Sequence, residues 1–150
     1  MLQVLDTTGQ EEYAALLDQW ILDNEGFILV YSVTKRSSFL RIKKYHQKVI
    51  AVKDRQRLAN RERPTYLHLL LSRMPMSDEF AVPIMLVGNE SHQHAERVVS
   101  SQEGFALATE LGCQFLEVST KNCINVEKAF YDVVRMIRQQ RRARGRPQTH

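Results

Sequence analysis

The residues whose types and spacing point most directly to chemistry lie near the start of the chain, in Leu5-Asp-Thr-Thr-Gly-Gln10. A carboxylate at the C-terminal end of a buried strand points into the crevice where α/β sheets bind ligands, and Asp6 is predicted to hold that position. Gly9 allows a backbone N–H to approach a phosphate without a Cβ in the way, and the Gln10 amide can orient an attacking water. The spacing fits Mg²⁺ and phosphate chemistry, but alone it is a weak signal and is more often that of an aspartate that caps the following turn.

The loop that usually accompanies such a site is absent from the sequence. Where the aspartate holds Mg²⁺, the phosphates themselves lie in a Gly-rich loop that ends in Lys-Ser or Lys-Thr. No segment of that kind occurs in the 150 residues. The motif therefore predicts one side of a phosphate site.

The elements that must position these residues alternate between apolar strands and helices. Four strands are predicted, each a short continuous apolar run of the kind that both faces of a sheet bury. They are Leu2–Leu5, Phe27–Val33, Ile84–Val87 and Phe115–Val118. This alternation predicts an α/β fold with a mainly parallel sheet of about four strands and helices on both faces.

Helix signals lie between these strands. Ser100 and Glu103 form a capping box, and Gly112 stands where a left-handed residue ends the helix that they begin. Asn125 is predicted to cap the last helix, whose apolar residues recur every three or four positions. Two further helices are predicted, one from Ser37 or Ser38 to about Lys53 and a weaker one over Glu11–Asp23.

The composition is that of a globular domain, and the basic charge is concentrated at the C-terminus. Hydrophobic residues make up 43% of the chain and charged residues 25%, the net charge is +4, and no apolar run approaches the roughly 20 residues of a membrane span. Two cysteines, Cys113 and Cys123, form neither a disulfide framework nor a zinc motif, so a cytoplasmic setting is expected. Six arginines and no acid follow position 134: Arg135, Arg138, Arg141, Arg142, Arg144 and Arg146.

Two segments stand apart from the regular pattern. Residues 55–81 form a 27-residue connector that is much longer than ordinary α/β loops, and we expect an inserted surface segment with a short apolar run at Leu67–Leu71. Residues 141–150 form a basic tail. Its arginines favour weak contact with an acidic membrane or a solvated helix end that complements the helix dipole, and at most a nonspecific contact with nucleic acid.

The string Leu5-Asp-Thr-Thr-Gly-Gln-Glu-Glu-Tyr13 closely resembles the switch II segment of Ras-type small GTPases, and the sequence is most similar in character to fungal Ras proteins. Five further segments match that family in the same order. They are Glu25-Gly-Phe-Ile-Leu-Val-Tyr-Ser32, Val82-Pro-Ile-Met-Leu-Val-Gly-Asn89, Glu96-Arg-Val-Val-Ser-Ser-Gln-Glu-Gly104, Gly112-Cys-Gln-Phe-Leu-Glu-Val-Ser-Thr-Lys121 and Asn125-Val-Glu-Lys-Ala-Phe-Tyr-Asp-Val-Val-Arg135. The resemblance implies a protein that binds GTP with Mg²⁺ and hydrolyses it to GDP as a signalling switch.

The resemblance also implies roles for individual residues. Asp6 would belong to the Mg²⁺ shell, Gly9 would face the γ-phosphate with Thr8 beside it, and Gln10 would position the hydrolytic water. Asn89 would brace the nucleotide-binding loops. The loop under the guanine would consist of Ser119, Thr120 and Lys121. Without the family context, the favoured interpretation of the last four residues is a strand-end cap at Asn89 and a polar turn at Ser119, Thr120 and Lys121.

One motif departs from the family pattern. The family's guanine motif is Asn-Lys-x-Asp, whose Asp accepts two hydrogen bonds from the base, whereas this chain has Asn89-Glu-Ser-His92. Losing such a paired contact costs on the order of 1–3 kcal/mol. Glu90 also places a negative charge near an anionic ligand, so we expect weakened guanine recognition.

The resemblance further implies a partial P-loop NTPase fold. The family's first strand, phosphate loop and first helix come before the segment with which this sequence begins. We expect four parallel strands, three connecting helices on one face and the C-terminal helix on the other. The missing strand would lie between Leu2–Leu5 and Phe27–Val33, leaving apolar surface that is an aggregation liability or a partner site.

Three functional hypotheses follow. In the first, the chain is a single partial small-GTPase domain over residues 1–150 with poor or undetectable nucleotide binding. The sequence identifies neither its regulators nor its effectors. Alternatively, it is a non-catalytic module that binds partners through its C-terminal helices and Leu67–Leu71, or an incomplete gene product. The C-terminus carries no Cys-a-a-X lipidation box, so we expect at most peripheral contact with the inner face of a membrane.

Overall fold

The computed structural model describes residues 4–6, 14–59 and 81–144, which form a parallel sheet with helices on both faces. In chain order the elements are α1 (Ala14–Asp23), β1 (Phe27–Ser32), α2 (Arg36–Ala59), β2 (Ile84–Asn89), α3 (Ser101–Leu111), β3 (Gln114–Glu117) and α4 (Val126–Arg144). The described strands run in the order β1-β2-β3. Leu29 pairs with Leu86, and Leu86 with Phe115, so the predicted α/β fold with a parallel sheet is confirmed.

Alternate side chains of the strands enter two separate cores. On one face, Tyr31 and Leu86 pack with Ile42 of α2 and Leu107 of α3. On the other face, Met85 and Val87 pack with α4 through residues that include Ala129 and Val133. Because neighbouring strand residues point to opposite faces, apolar runs such as Ile84–Val87 are buried throughout.

Helix α1 joins the same face as α2 and α3. Its Ile21 is buried against Val49 and Val52 of α2 and against Ile84, the first residue of β2. The three connecting helices therefore share one face and α4 covers the other, as predicted.

The ends of α3 agree with the signals in the sequence. The Ser100 hydroxyl accepts a hydrogen bond from the Glu103 backbone N–H at 3.2 Å, and the Glu103 carboxylate accepts one from the Ser100 N–H at 2.9 Å. Gly112 ends the helix with φ of +67°, in the left-handed region that glycine adopts without a steric penalty. Local capping chemistry thus fixes both boundaries.

The predicted side-chain cap of the last helix is wrong. Asn125 precedes α4 and its carbonyl accepts from the Ala129 N–H, but its φ is +59°, outside the extended backbone of a capping residue. Its side-chain amide donates instead to the Glu117 carbonyl at 3.0 Å. The amide ties the loop back to β3.

Helix α2 is longer than predicted, because it continues to Ala59 rather than ending near Lys53. The first five residues of the expected insertion are therefore helical. Residues 60–80, including Leu67–Leu71, lie outside the described part of the chain.

The predicted first strand differs from the structure in its described part. Val4 and Leu5 are exposed and belong to no strand, while Leu2 and Gln3 lie outside the described residues. The described sheet therefore has three strands rather than about four, with β1 at one edge.

Candidate functional site

The C-terminal ends of the three strands bring several of the predicted nucleotide-site residues to one edge of the sheet. Asn89 is the last residue of β2, and its carbonyl accepts a hydrogen bond from the Val33 N–H at 3.0 Å. Its side-chain oxygen accepts from the Glu90 N–H at 2.8 Å. Asn89 therefore braces the turn that leaves the sheet, which agrees with a bracing role.

The loop after β3 is held by its own backbone and by one buried hydroxyl. Ser119 and Ile124 exchange two backbone hydrogen bonds, and the Ser119 side chain is inaccessible to solvent. Its Oγ accepts from the Asn122 N–H at 3.1 Å. Thr120 and Lys121, in contrast, are exposed at the tip. The loop thus has a rigid base and an accessible rim.

The loops after β2 and β3 are joined to each other. The Ser91 N–H donates to the Val118 carbonyl at 3.1 Å, and the Ser119 Oγ lies 2.9 Å from Nδ1 of His92. His92 and Lys121 line a shallow depression of about 400 Å³ with residues 93–96. The geometry brings the predicted Ser119–Lys121 loop next to the altered residue His92.

His92 is tied to Ser119 through one ring nitrogen. The Ser119 Oγ accepts from the Asn122 N–H and lies 2.9 Å from Nδ1 of His92, and either of these two atoms can be the donor of the second hydrogen bond. The contact therefore occupies Nδ1 and leaves Nε2 as the one ring nitrogen of His92 that can meet another group.

Glu90 turns away from the base loop, towards the end of β1. It adopts a left-handed backbone conformation with φ of +66°. Its carboxylate accepts hydrogen bonds from the hydroxyls of Ser32 and, at 3.3 Å, Thr34. A half-buried negative charge is thus fixed at the edge of the sheet where α/β folds bind ligands.

An ion pair lies at the side of the site next to α3, and no motif in the sequence indicated it. Arg97 donates to both oxygens of Glu117, at 2.7 and 3.1 Å, and the Ser101 hydroxyl donates to one of them at 2.9 Å. Burial opposes the ionisation of Glu117, but these hydrogen bonds from Arg97 and Ser101 outweigh it and lower the pKa of its carboxyl. The only signal in the sequence is an acid at the end of an apolar strand.

The described residues do not by themselves form a Mg²⁺ site. Asp6 is exposed, and Thr8, Gly9 and Gln10 lie outside the described part of the chain. No group of three or more His, Cys, Asp or Glu side chains is placed to hold a metal ion within the described ranges. Mg²⁺ requires near-octahedral oxygen coordination, which one carboxylate cannot supply, so no catalytic step follows through the metal from these residues.

None of the described helices is both long and apolar enough to cross a bilayer. The longest, α2 and α4, carry charged residues along much of their length.

Comparison with known proteins identifies the family. The model of the Ras family matches residues 1–139. Ras-like protein B of Aspergillus fumigatus is 57% identical over 141 residues, which cover 94% of this chain and 59% of that protein. Ras-like protein 1 of Pyricularia oryzae is 56% identical over 147 residues, 98% of this chain and 58% of that protein.

Protein ras-2 of Neurospora crassa is 55% identical over 141 residues, again covering 94% of this chain and 59% of that protein. The chain therefore spans just under three fifths of the length of these relatives. The family match, the parallel sheet with helices on both faces, and the positions of Asn89 and Ser119 at its C-terminal edge agree with one another. The chain belongs to the Ras family of small GTPases.

Proposed function

We propose that this protein acts in signal transduction as a Ras-type small GTPase domain whose binding of guanine nucleotide is weak. The family membership supports the signalling role and the nucleotide class. The observation that carries the weakness is the hydrogen bond between Ser119 and His92, because it occupies one ring nitrogen and leaves a single nitrogen where the family has a carboxylate with two acceptor oxygens.

The chemistry of guanine explains the loss. The Asp of the family motif accepts from the N1–H and the amino group of the base, both of which are donors. The one remaining ring nitrogen of His92 cannot accept from both donors, so at least one of them is left unpaired in the complex, at a cost on the order of 1–3 kcal/mol. Since 1.4 kcal/mol is a factor of ten, this corresponds to a loss of roughly 5- to 150-fold in affinity.

Glu90 adds to the effect through its charge. The family has a lysine at this position, whereas here a carboxylate is held by Ser32 and Thr34. Replacing a cation with an anion weakens the attraction for a nucleotide that carries several negative charges.

The roles of the remaining site residues rest on the motif resemblance alone. That resemblance assigns Asp6 to Mg²⁺, Gly9 and Thr8 to the terminal phosphate, Gln10 to the hydrolytic water, and Thr120 and Lys121 to the base.

Titration of the full chain with a fluorescent GTP analogue in the presence of Mg²⁺ tests this proposal. We expect weak or undetectable binding, with little discrimination against non-guanine nucleotides in competition. A sub-micromolar Kd with strong preference for guanine would contradict it. Catalysis is tested in the same samples by release of inorganic phosphate, which we expect to be slow.

A second candidate function is a non-catalytic module that binds partner proteins. It is favoured by the altered Asn89–His92 motif and by exposed aromatic surface on α4, where Tyr131 is 62% and Phe130 36% accessible. Its binding surfaces would be the C-terminal helices and the segment with Leu67–Leu71. Because 55–59 belong to α2, the test is deletion of residues 60–80 alone. If every captured partner is unchanged, that segment has no part in binding.

Localisation is proposed from the charges of the C-terminal helix. Arg141 pairs with Glu25, with both Arg141 Nε and its terminal nitrogen donating to the carboxylate, so part of the basic charge is already neutralised within the fold. We expect a cytoplasmic protein with weak, salt-sensitive contact to acidic membranes through Arg141–Arg146. Sedimentation with vesicles that contain phosphatidylserine, at low and high salt, tests this.

A further inference from the structure

Helix α2 is strongly basic. Its 24 residues contain eight lysines and arginines and one acid, Asp54, so the helix alone has a formal charge of +7. The whole chain has a net charge of only +4. A surface with an excess of one charge attracts a partner of the opposite charge. The side of α2 on which these cations lie therefore indicates where an acidic partner would bind.

Four of the cations lie along one side of α2. Arg41, Lys44, Lys48 and Arg55 follow one another at intervals of three, four and seven positions, which return to the same side of a helix. Lys48 and Arg55 share one carboxylate, that of Asp18 in α1, at 2.5 and 3.0 Å. Arg41 and Lys44 are exposed, and neither takes part in an ion pair within the described ranges. Among the residues described, four cations on this side therefore pair with a single acid.

Exposed apolar side chains lie next to this row of cations. Leu40 is 68% and Leu58 52% accessible, and Ala51 between them is also exposed. The three residues are separated by 11 and 7 positions, close to whole numbers of helical turns, so they share one line along the helix. A row of cations beside a line of exposed aliphatic residues is typical of a helix that contacts an acidic membrane surface.

We propose that this side of α2 rests on a membrane that contains acidic lipids. We call it the outer face of α2, and it consists of Leu40, Arg41, Lys44, Lys48, Ala51, Arg55 and Leu58. The cations meet the anionic headgroups, while the two leucines enter the boundary between headgroups and acyl chains. The long stems of the lysines and arginines allow their charges to reach the headgroups beside the leucines.

The leucines favour a membrane over other acidic partners. A nucleic acid offers phosphates to cations and bases to aromatic side chains, but none of the seven residues of the outer face is aromatic. Leu40 and Leu58 would then stay in water. An acidic protein segment would have to supply apolar contacts over the roughly 27 Å of helix between these two leucines. A bilayer surface supplies both kinds of contact along the whole helix.

The outer face reaches the end of the molecule at which α4 also ends. Gln56 of α2 and Gln140 of α4 line one pocket together with Glu25, and Arg141 donates to the Glu25 carboxylate. Arg141, the first residue of the basic tail, therefore lies close to the C-terminal end of α2. The proposal rests on the membrane contact proposed above for Arg141–Arg146, and adds a second surface to it.

Cosedimentation of the full chain with vesicles tests the proposal, with phosphatidylcholine alone and with phosphatidylcholine mixed with phosphatidylserine. We expect binding that requires phosphatidylserine. Arg41→Gln combined with Lys44→Gln should weaken this binding at least roughly tenfold. The matched control is Lys128→Gln combined with Arg135→Gln, which removes two exposed charges from α4, on the opposite face of the sheet, and should weaken binding less than about twofold. Circular dichroism checks that both variants keep the fold.

Leu40→Gln separates a membrane from a soluble polyanion as the partner. It removes an exposed apolar side chain without changing the charge, so it should weaken vesicle binding severalfold. Unchanged vesicle binding would overturn the proposal. Displacement of the chain by polyglutamate or by a DNA duplex would then identify an acidic protein or a nucleic acid as the partner of the outer face.

Two further outcomes would overturn the proposal. They are a chain that does not bind phosphatidylserine vesicles, and equal effects of the α2 variant and the α4 control. A loss of binding caused only by Arg142→Gln combined with Arg144→Gln would assign the whole contact to the C-terminal segment, which supports the localisation proposed above and overturns this proposal. None of these results bears on the binding of guanine nucleotide, so the proposed function is tested separately.

Discussion

Two hydrogen bonds meet at the Ser119 hydroxyl, in a position from which solvent is excluded. One partner is the backbone of the same loop and the other is His92 of the neighbouring loop, so a single oxygen holds the two loops together. Replacing Ser119 with Ala leaves the Asn122 N–H without this acceptor and Nδ1 of His92 without this partner. Two hydrogen bonds are then lost, and each contributes about 0.5–1.5 kcal/mol to stability.

We therefore expect Ser119→Ala to lower the free energy of unfolding by about 1–3 kcal/mol. The measurement is urea denaturation followed by circular dichroism. Thr120→Ala is the matched control because Thr120 is exposed, and it should change stability by less than about 0.5 kcal/mol. Equal effects of the two substitutions would show that the Ser119 hydroxyl does not hold the loops.

The Tyr31 hydroxyl presents the opposite case at the residue scale. Its side chain is 1% exposed and its hydroxyl has no hydrogen-bond partner among the described residues. Burial, with a further contribution from the charge of Glu117, raises the pKa of this hydroxyl to about 12. Gly88 and Gly104 leave the space that the ring occupies.

Removing that hydroxyl should relieve a desolvation cost. We expect Tyr31→Phe to leave stability unchanged or raise it by up to about 1 kcal/mol, as measured by urea denaturation. A clear loss of stability in Tyr31→Phe would indicate a polar partner for this oxygen.

Gly104→Ala should lower the free energy of unfolding by about 1–3 kcal/mol in the same measurement. A Cβ at this position would lie 2.6 Å from the Phe115 ring and would also press on the Tyr31 hydroxyl.

Helix α3 shows how one element depends on a single carboxylate. Glu103 accepts a hydrogen bond from Arg36 at 2.5 Å, in addition to the capping bonds from Ser100. The hydrogen bond from Arg36, followed by those from Ser100, lowers the pKa of Glu103 to about 2. Since the carboxyl binds its proton more weakly in the folded state, its contribution to stability is complete above pH 4.5.

That contribution should be lost progressively as the pH falls from 4.5 to about 2. We expect Glu103→Gln to flatten the dependence of the urea midpoint on pH in this window, compared with the wild-type chain. Measurements between pH 2.5 and 6.5 check this. Identical pH profiles for the two proteins would exclude a role for this carboxylate in acid unfolding.

The same element shows which parts of the fold are predictable. The boundaries of α3 follow from Ser100, Glu103 and Gly112, whose effects are local in sequence. The apolar spacing predicts an end for α2 near Lys53, but residues 54–59 contain neither glycine nor proline, and the helix continues to Ala59. The Asn125 side chain bonds to β3 rather than to α4, a choice that depends on the tertiary fold.

The contacts between the site residues were harder to predict from the sequence than the positions of those residues. The motif located Asn89, Ser119 and His92 in the sequence. The bond from Ser119 to His92 joins residues 27 positions apart, and that from Ser32 to Glu90 joins residues 58 positions apart. Such contacts follow only once the sheet has brought the ends of β1, β2 and β3 together.

At the scale of the whole molecule, the parallel sheet agrees with the family, whereas the motif that follows β2 departs from it. The parallel sheet, the bracing Asn89 and the buried Ser119 are in place, and Arg97 with Glu117 fixes the end of β3. The changes lie at Glu90 and His92, which face the edge of the sheet without contributing to either core. The described sheet and helices thus agree with a partial Ras-like fold, while Glu90 and His92 stand where the family's guanine motif has Lys and Asp.

The central claim is that His92 weakens guanine binding because one imidazole nitrogen replaces the two acceptor oxygens of the family's Asp. The most direct measurement is the affinity of the wild-type chain and of His92→Asp for a fluorescent GTP analogue with Mg²⁺, determined side by side. The account predicts that His92→Asp binds at least roughly fivefold more tightly, since the Asp carboxylate accepts from both donors of the base. Equal affinities of the two proteins, or tighter binding by the wild-type chain, would contradict it.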